Sequence, residues 1–311
     1  MSGSASSSRL SSGISASPSR RGPALLVTAG LLWGTGGLAG SVLQDLTGIH
    51  PLGTAAYRLL VGGLLATAVL AVSGRLRRVP RTRASLTRVA TAGGLLALFQ
   101  SAYFASVWLT SVGLATLVTI GSVPLFVTAV TAVLERRRPA PRLLVSVGLG
   151  VLGLALLAGF PSLSGPAWRI ALGLGCALAA GALFSALTIV NRRPVAGLDP
   201  LAVTALGCLT GGLLLLLPGL VAGMAFSPAP APLGVLLYLG AVPTALAYLA
   251  YFGGLRSAPA TVAALAAVLE PLTATLLSVA LLGERLSAAG TLGAVLLMAA
   301  VVLDQWRPRR R

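Results

Sequence analysis

Residues 257–286, SAPATVAALAAVLEPLTATLLSVALLGERL, decide the fold. They form one apolar stretch of helix length with an acid, Glu270, at its middle and Pro271 directly behind it. An acid at bilayer depth costs roughly 2.5–3.5 kcal/mol on insertion scales, so by default it marks a functional or structural contact. A weaker copy of the stretch, SVGLATLVTIGSVPLFVTAVTAVLERRR, lies at 111–138 and has no acid at the matching depth. The chain reads as one membrane unit written twice.

Composition agrees with a membrane chain. Of the 311 residues, 56% are hydrophobic and 9% charged, and the mean hydropathy is +0.93. Soluble domains carry about 25% charged residues, so this chain cannot cover a water-facing surface. Its 38 glycines suit close-packed membrane helices. A transmembrane barrel would need alternating segments of about ten residues, and none occur. The fold class is therefore an all-α membrane protein.

The net charge of +17 raises a nucleic-acid partner and position removes it. Every basic residue is an arginine, and the arginines cluster in short gaps between apolar runs, none long enough for a soluble nucleic-acid-binding module. Cys176 and Cys208 fall inside apolar runs, where thiols pack as small hydrophobes. Neither a disulfide framework nor a metal-ligand spacing is present, and no cofactor is expected.

Residues 1–22 are Ser-rich with Arg9, Arg20 and Arg21, and read as a disordered cytoplasmic tail. The run 24–43 suits a membrane span better than the 7–15-residue core of a signal peptide, although small residues at 39–41 keep cleavage as an alternative. Apolar windows of about 20 residues give ten spans. They lie near 24–43, 52–73, 89–109, 114–134, 142–159, 167–190, 201–223, 233–254, 258–282 and 287–303. The Pro-rich 227–232 (SPAPAP) is an extended linker, and 304–311 is a basic cytoplasmic tail.

Arginine position sets the orientation. With the N-terminus inside, twenty of the 23 arginines fall in cytoplasmic segments; Arg169 and Arg285 fall outside, and Arg58 within a span. Ten spans then place both termini in the cytoplasm.

Residues 102–124 (AYFASVWLTSVGLATLVTIGSVP) echo 247–271 (AYLAYFGGLRSAPATVAALAAVLEP). This suggests repeats over 24–160 and 167–303, each of five spans. An odd number per repeat turns the second copy upside down in the membrane. Inverted repeats are common in secondary transporters, with the site near the midplane between the halves.

The chain resembles the EamA-type branch of the drug/metabolite transporter superfamily, ten-helix proteins with two EamA domains. The resemblance rests on Trp33-Gly34, Tyr57-Arg58, Pro124, Glu270-Pro271 and the turn Gly283-Glu284-Arg285-Leu286. It covers about 24–303 and implies export or exchange of small organic metabolites. The first half departs at its acid-arginine turn, where ERRRP (135–139) replaces the more usual Gly-Glu form.

Arg58 lies about six residues into its span, roughly 9–10 Å below the outer boundary at a rise of 1.5 Å per residue, and Glu270 roughly 18 Å below it. Arg58 is the candidate for an anionic substrate group, with Glu270 as counter-charge or proton carrier. The alternatives are an outward-snorkelling arginine or a fixed pair bracing the bundle. Pro124 and Pro271 are the kink or gating candidates, since proline removes a helix hydrogen bond and paired interruptions point to the binding region of an inverted repeat.

Trp33, Gln100, Tyr103, Ser122, Ser185 and Tyr248 complete the substrate-binding candidates, and Gln100 and Tyr103 share a helix face. Thr35, Trp108 and Tyr251 are further polar or amphipathic side chains within spans. Each lines a cavity or, alternatively, bonds between helices or anchors at the membrane interface. His50 reads as a solvated loop residue.

The reading is a secondary active transporter of a small organic metabolite or drug in the bacterial inner (plasma) membrane. It acts by alternating access, as an exporter or exchanger. No P-loop pattern is present, so ATP does not drive it directly. Protons are the hypothetical coupling ion, through Glu270. A scaffold or sensor is the alternative, and an intramembrane enzyme the least favoured. Enzyme chemistry needs a metal cluster, an acid pair or a nucleophile with its base. Partners are the solute and the lipid bilayer, and either a monomer or a dimer fits.

Overall fold

The computed structural model describes residues 21–110, 112–158, 166–282 and 287–305, and the regular elements among them are all helical. Apart from a short 3-10 helix at Leu76–Arg78, in order they are α1 (Arg21–Thr47), α2 (Pro51–Val72), α3 (Arg83–Leu109), α4 (Val112–Glu135), α5 (Pro141–Ala158), α6 (Ala167–Arg192) and α7 (Pro200–Ala222). Then come α8 (Pro230–Gly240), a π-helical segment (Ala241–Leu246), α9 (Ala247–Leu255), α10 (Ala260–Ala267), α11 (Leu269–Leu282) and α12 (Ala288–Gln305). With α8–α9 and α10–α11 each running as one rod, eight segments among the described residues are long and apolar enough to cross a membrane, and α5 and α12 are shorter apolar helices. The chain is a multi-pass membrane protein. Most of both tails and the turn at Gly283–Leu286 lie outside the described residues.

Local chemistry explains where the helices begin. Pro51 and Pro200 open α2 and α7, since proline's missing N–H is harmless in a first turn. His50 Nδ1 accepts from Leu52 N at 3.2 Å, and Asp199 Oδ1 from Leu201 N at 3.0 Å, each satisfying an orphan amide. His50 is thus a helix cap. Gly223, at φ +90°, ends α7 in the left-handed conformation that favours glycine.

Contacts between chain-distant ends define two faces of the bundle. On the face where α1 begins, the N face, Arg88 donates to Val190 O and Arg193 O, and Arg142 to Leu303 O. On the far face His50 N donates to Gly223 O at 3.1 Å, and Arg169 Nη2 to Trp108 O at 2.9 Å. Arg169 also stands 5.1 Å over the exposed Trp108 ring. That is a cation–π pair of the kind suited to a membrane interface. Leucines and valines such as Leu64, Val133, Leu217 and Val221 cover the outside, as a lipid-facing surface requires.

The packing is reciprocal between the two halves of the chain. Against α2 lies α7, and against α5 lies α12. A Cβ on Gly63 would lie 2.5 Å from Leu209 N, and one on Gly212 would lie 2.8 Å from Leu60 N. Likewise a Cβ on Gly153 would lie 2.8 Å from Leu297 N, and one on Gly293 2.5 Å from Leu157 N. In each seam the glycine of one half receives the leucine of the other, as at a two-fold interface. Around them, α1 packs on the α8–α9 and α10–α11 rods while α6 packs on α3 and α4.

Two rods are interrupted at mid-depth. The eighth changes from α to π geometry at 241–246, around Pro243. The ninth breaks in a turn at Val268, just before Glu270 and Pro271. By contrast α4 is helical straight through Pro124.

Candidate functional site

Six of the eight substrate-binding candidates, Trp33, Arg58, Gln100, Tyr103, Tyr248 and Glu270, line one cavity of about 220 Å³. Its wall runs from Glu270, Tyr248 and Phe184 at mid-depth to Gln44, Pro51 and Val107 near the far face. The other two stand apart in the α4–α6 seam. There Ser122 Oγ donates to Thr119 O at 2.9 Å, and Ser185 Oγ to Gly181 O at 2.7 Å. Pro124 is buried in α4 and does not line the cavity.

Arg58 is held by the interrupted rod. In a regular helix the amide of residue 243 would donate to Leu239 O, and proline has no N–H to give. The hydroxyl of the buried Thr244 donates there instead, at 2.7 Å. The same oxygen accepts from Arg58 Nε at 3.3 Å. One proline thus sets up a threonine that orients the guanidinium while leaving both Nη groups without a hydrogen bond among the described residues.

Glu270 sits at a close approach of two helices. A Cβ on Gly34 would lie 2.7 Å from Glu270 O and would also collide with Thr273, so only glycine lets α1 approach here. Pro271 withholds the amide that would cover Ala267 O, and Ala267 lines the same cavity. The Glu270 carboxylate has no hydrogen bond among the described residues. The ion pairs among them are Arg75–Asp199 and Arg192–Glu135, so Arg58 and Glu270 face one cavity without pairing within 4.0 Å.

Gln100 adds a third uncommitted group. The residue is 3% exposed, yet Nε2 has no hydrogen-bond partner among the described residues. A buried polar atom left unmade costs about 1–3 kcal/mol, so an open amide in a cavity wall is an offer to a ligand. Tyr103 OH is bonded to Thr116 Oγ1 at 2.7 Å.

The floor is aromatic. Trp33 lies between Tyr248, Tyr251 and Phe184, with ring centroids 5.4, 4.9 and 5.8 Å away. Tyr251 OH is bonded to Thr188 Oγ1 at 2.8 Å, which fixes that ring against α6. A cation, a carboxylate and an amide above an aromatic floor can bind a small polar solute and orient it. The sequence reading missed Thr244, Phe99, Phe184, Thr54 and Gln44 in this wall and its support. A proline inside the eighth span was the available signal for Thr244.

The model of the EamA-like transporter family matches the chain twice, over residues 20–159 and 171–303. The chain belongs to that family and is a membrane transporter. It is 29% identical to the uncharacterized transporter YwfM of Bacillus subtilis (strain 168), over 92% of this chain and 94% of that one. It is 26% identical to the uncharacterized inner membrane transporter YicL of Salmonella typhimurium (strain LT2), over 94% and 97%. A solved crystal structure superposes with a TM-score of 0.79 over 91% of this chain and 96% of its own. At 22% identity that likeness is one of fold alone.

Proposed function

We propose that this EamA-family protein is a secondary active transporter that exports or exchanges a small organic solute across the bacterial inner membrane by alternating access. Both termini lie in the cytoplasm. The observation that carries the reading is the cavity itself. It reaches from mid-depth to the far face and presents Arg58, Glu270 and the Gln100 amide, none of them paired with another. Toward the N face it is shut by the Trp33, Tyr248 and Tyr251 rings. A route open to one side and closed to the other by side chains is what alternating access requires.

The repeats 24–160 and 167–303 are the moving halves in this reading. The reciprocal glycine–leucine contacts of α2 with α7 and of α5 with α12 support a two-fold relation between them. Five spans in each half would make the relation an inversion. Glu270 breaks the symmetry. Gly34 meets Glu270 O and Thr273, and Gly181 meets Thr119 O and Ser122, so the matching close approach in the first half carries no acid.

The cavity favours a small metabolite over a bulky drug, because drug-sized ligands fill roughly 300–1,000 Å³. Arg58 would hold an anionic group and Glu270 a cationic group or a coupling proton. Uptake of pooled radiolabelled amino acids, organic acids and cationic dyes into proteoliposomes, with and without a pH gradient, tests the proposal. Accumulation of one class supports it. If nothing accumulates under either condition, the secondary active reading fails.

A further inference from the structure

A second cavity, of about 650 Å³, opens on the N face between the start of α3, the α6–α7 connection and the end of α9. Four arginines line it: Arg88, Arg192, Arg193 and Arg256. Two of them are committed. Arg88 caps the end of α6 through Val190 O and Arg193 O, and Arg192 pairs with Glu135 at 3.8 Å. Asp199, the acid in this wall, is held by Arg75 at 3.6 Å and by Leu201 N. The Arg193 and Arg256 guanidinium groups have no acceptor among the described residues.

The back of this cleft is Phe252, buried in α9. Its ring stacks on Tyr248, one helical turn away, with centroids 5.8 Å apart and planes inclined by 13°. Tyr248 lines the central cavity. This stacked pair, within the aromatic barrier formed with Trp33 and Tyr251, reaches from the wall of the arginine cleft to the wall of the cavity that holds Arg58. The bias of arginines toward the cytoplasmic side explains why cations lie on this face. It does not explain why two unpaired ones converge on a concave wall directly behind the barrier of the central cavity.

We propose that the cleft is the cytoplasmic vestibule of the transport route, where Arg193 and Arg256 collect a small carboxylate- or phosphate-bearing solute before the Tyr248–Phe252 pair parts. The inference rests on the transporter reading and gives its substrate a charge. A concave site of one sign focuses the field and raises the local concentration of counter-ions, with effects of about 10- to 1,000-fold on encounter rates.

The test reads the cleft without needing the natural substrate. In a Cys176→Ser/Cys208→Ala background, Ala196→Cys puts a thiol in the cleft wall, and Ser227→Cys puts one on the far face. Each is reacted with 2-sulfonatoethyl methanethiosulfonate, an anion, and with its trimethylammonium counterpart, Ala196→Cys in everted vesicles and Ser227→Cys in right-side-out ones, because neither reagent crosses the bilayer. The expected anion-to-cation rate ratio at Ala196→Cys falls about tenfold on adding Arg193→Gln/Arg256→Gln, and the ratio at Ser227→Cys does not move. An unchanged ratio at Ala196→Cys overturns the proposal.

Repeating the reaction in purely phosphatidylcholine vesicles separates a free solute from an anionic lipid headgroup. Equal rates in neutral and anionic bilayers support a free-solute site, and protection confined to anionic bilayers overturns it in favour of a lipid site. Gly37→Cys then tests the link, since position 37 lines the central cavity with room for a Cβ. Added from the N face, the anionic reagent should label it at least tenfold faster once Phe252→Ala is present. No acceleration there, or with Phe252→Leu, overturns the connection. These ratios can fail while solute uptake succeeds, so the two readings fall separately.

Discussion

Thr244 Oγ1 lies 3.3 Å from Arg58 Nε and 2.7 Å from Leu239 O, so the cation of the cavity is oriented by the residue that repairs a proline break in another rod. A hydrogen bond to a charged group contributes about 1.5–3 kcal/mol. Thr244→Val keeps the shape and removes the bond, so solute uptake should show a KM raised about tenfold. Thr244→Ser should restore most of the loss. Equal kinetics for Val and Ser would detach Thr244 from the site.

Glu270 faces the cavity without an ion-pair partner among the described residues, and as a proton carrier it would matter for driven accumulation more than for exchange. Glu270→Gln should abolish accumulation driven by a pH gradient while leaving solute counterflow, which needs no net proton movement. Uptake insensitive to the gradient in the wild type would remove protons from the mechanism.

The Gln100 amide is buried with Nε2 unpartnered. Structural polar residues lose stability when removed, whereas an uncommitted one does not. Gln100→Leu should leave the melting temperature in detergent unchanged or raised and lower uptake at least several-fold. A lowered melting temperature with uptake intact would make Gln100 a packing residue.

The α2–α7 seam admits no side chain at either Gly63 or Gly212. Overpacking typically costs about 1–3 kcal/mol. Gly63→Leu and Gly212→Leu should therefore lower thermal stability by similar amounts, because the two close approaches are reciprocal. Gly94→Leu, where a Cβ meets nothing within 4 Å, should be tolerated. Unequal effects of the first pair would argue against the reciprocity.

Much of this was legible because the bilayer imposes length and hydropathy on every span. The apolar windows coincide with the rods to within a few residues, and Glu270 and Arg58 stood out as charges at depth. Both line one cavity. Ser122 and Ser185 were picked by the same polarity argument but bond to helix carbonyls in the α4–α6 seam. Polarity within a span identifies a candidate and does not say which way it points. The Thr244 relay was hidden because it joins residues 186 positions apart through a π-helical segment, which no periodicity announces. His50 looked like loop and is a cap, since only geometry shows its Nδ1 turned to Leu52 N.

The most direct test of the cavity as the substrate site is proteoliposome uptake of the identified solute by wild type, Arg58→Gln, Glu270→Gln and Ser122→Ala, at matched protein levels. The account predicts that both cavity variants lose uptake by at least tenfold, and that Ser122→Ala, in the packing seam, retains it. Wild-type uptake in both Arg58→Gln and Glu270→Gln would contradict the account and make the two charges braces of the bundle.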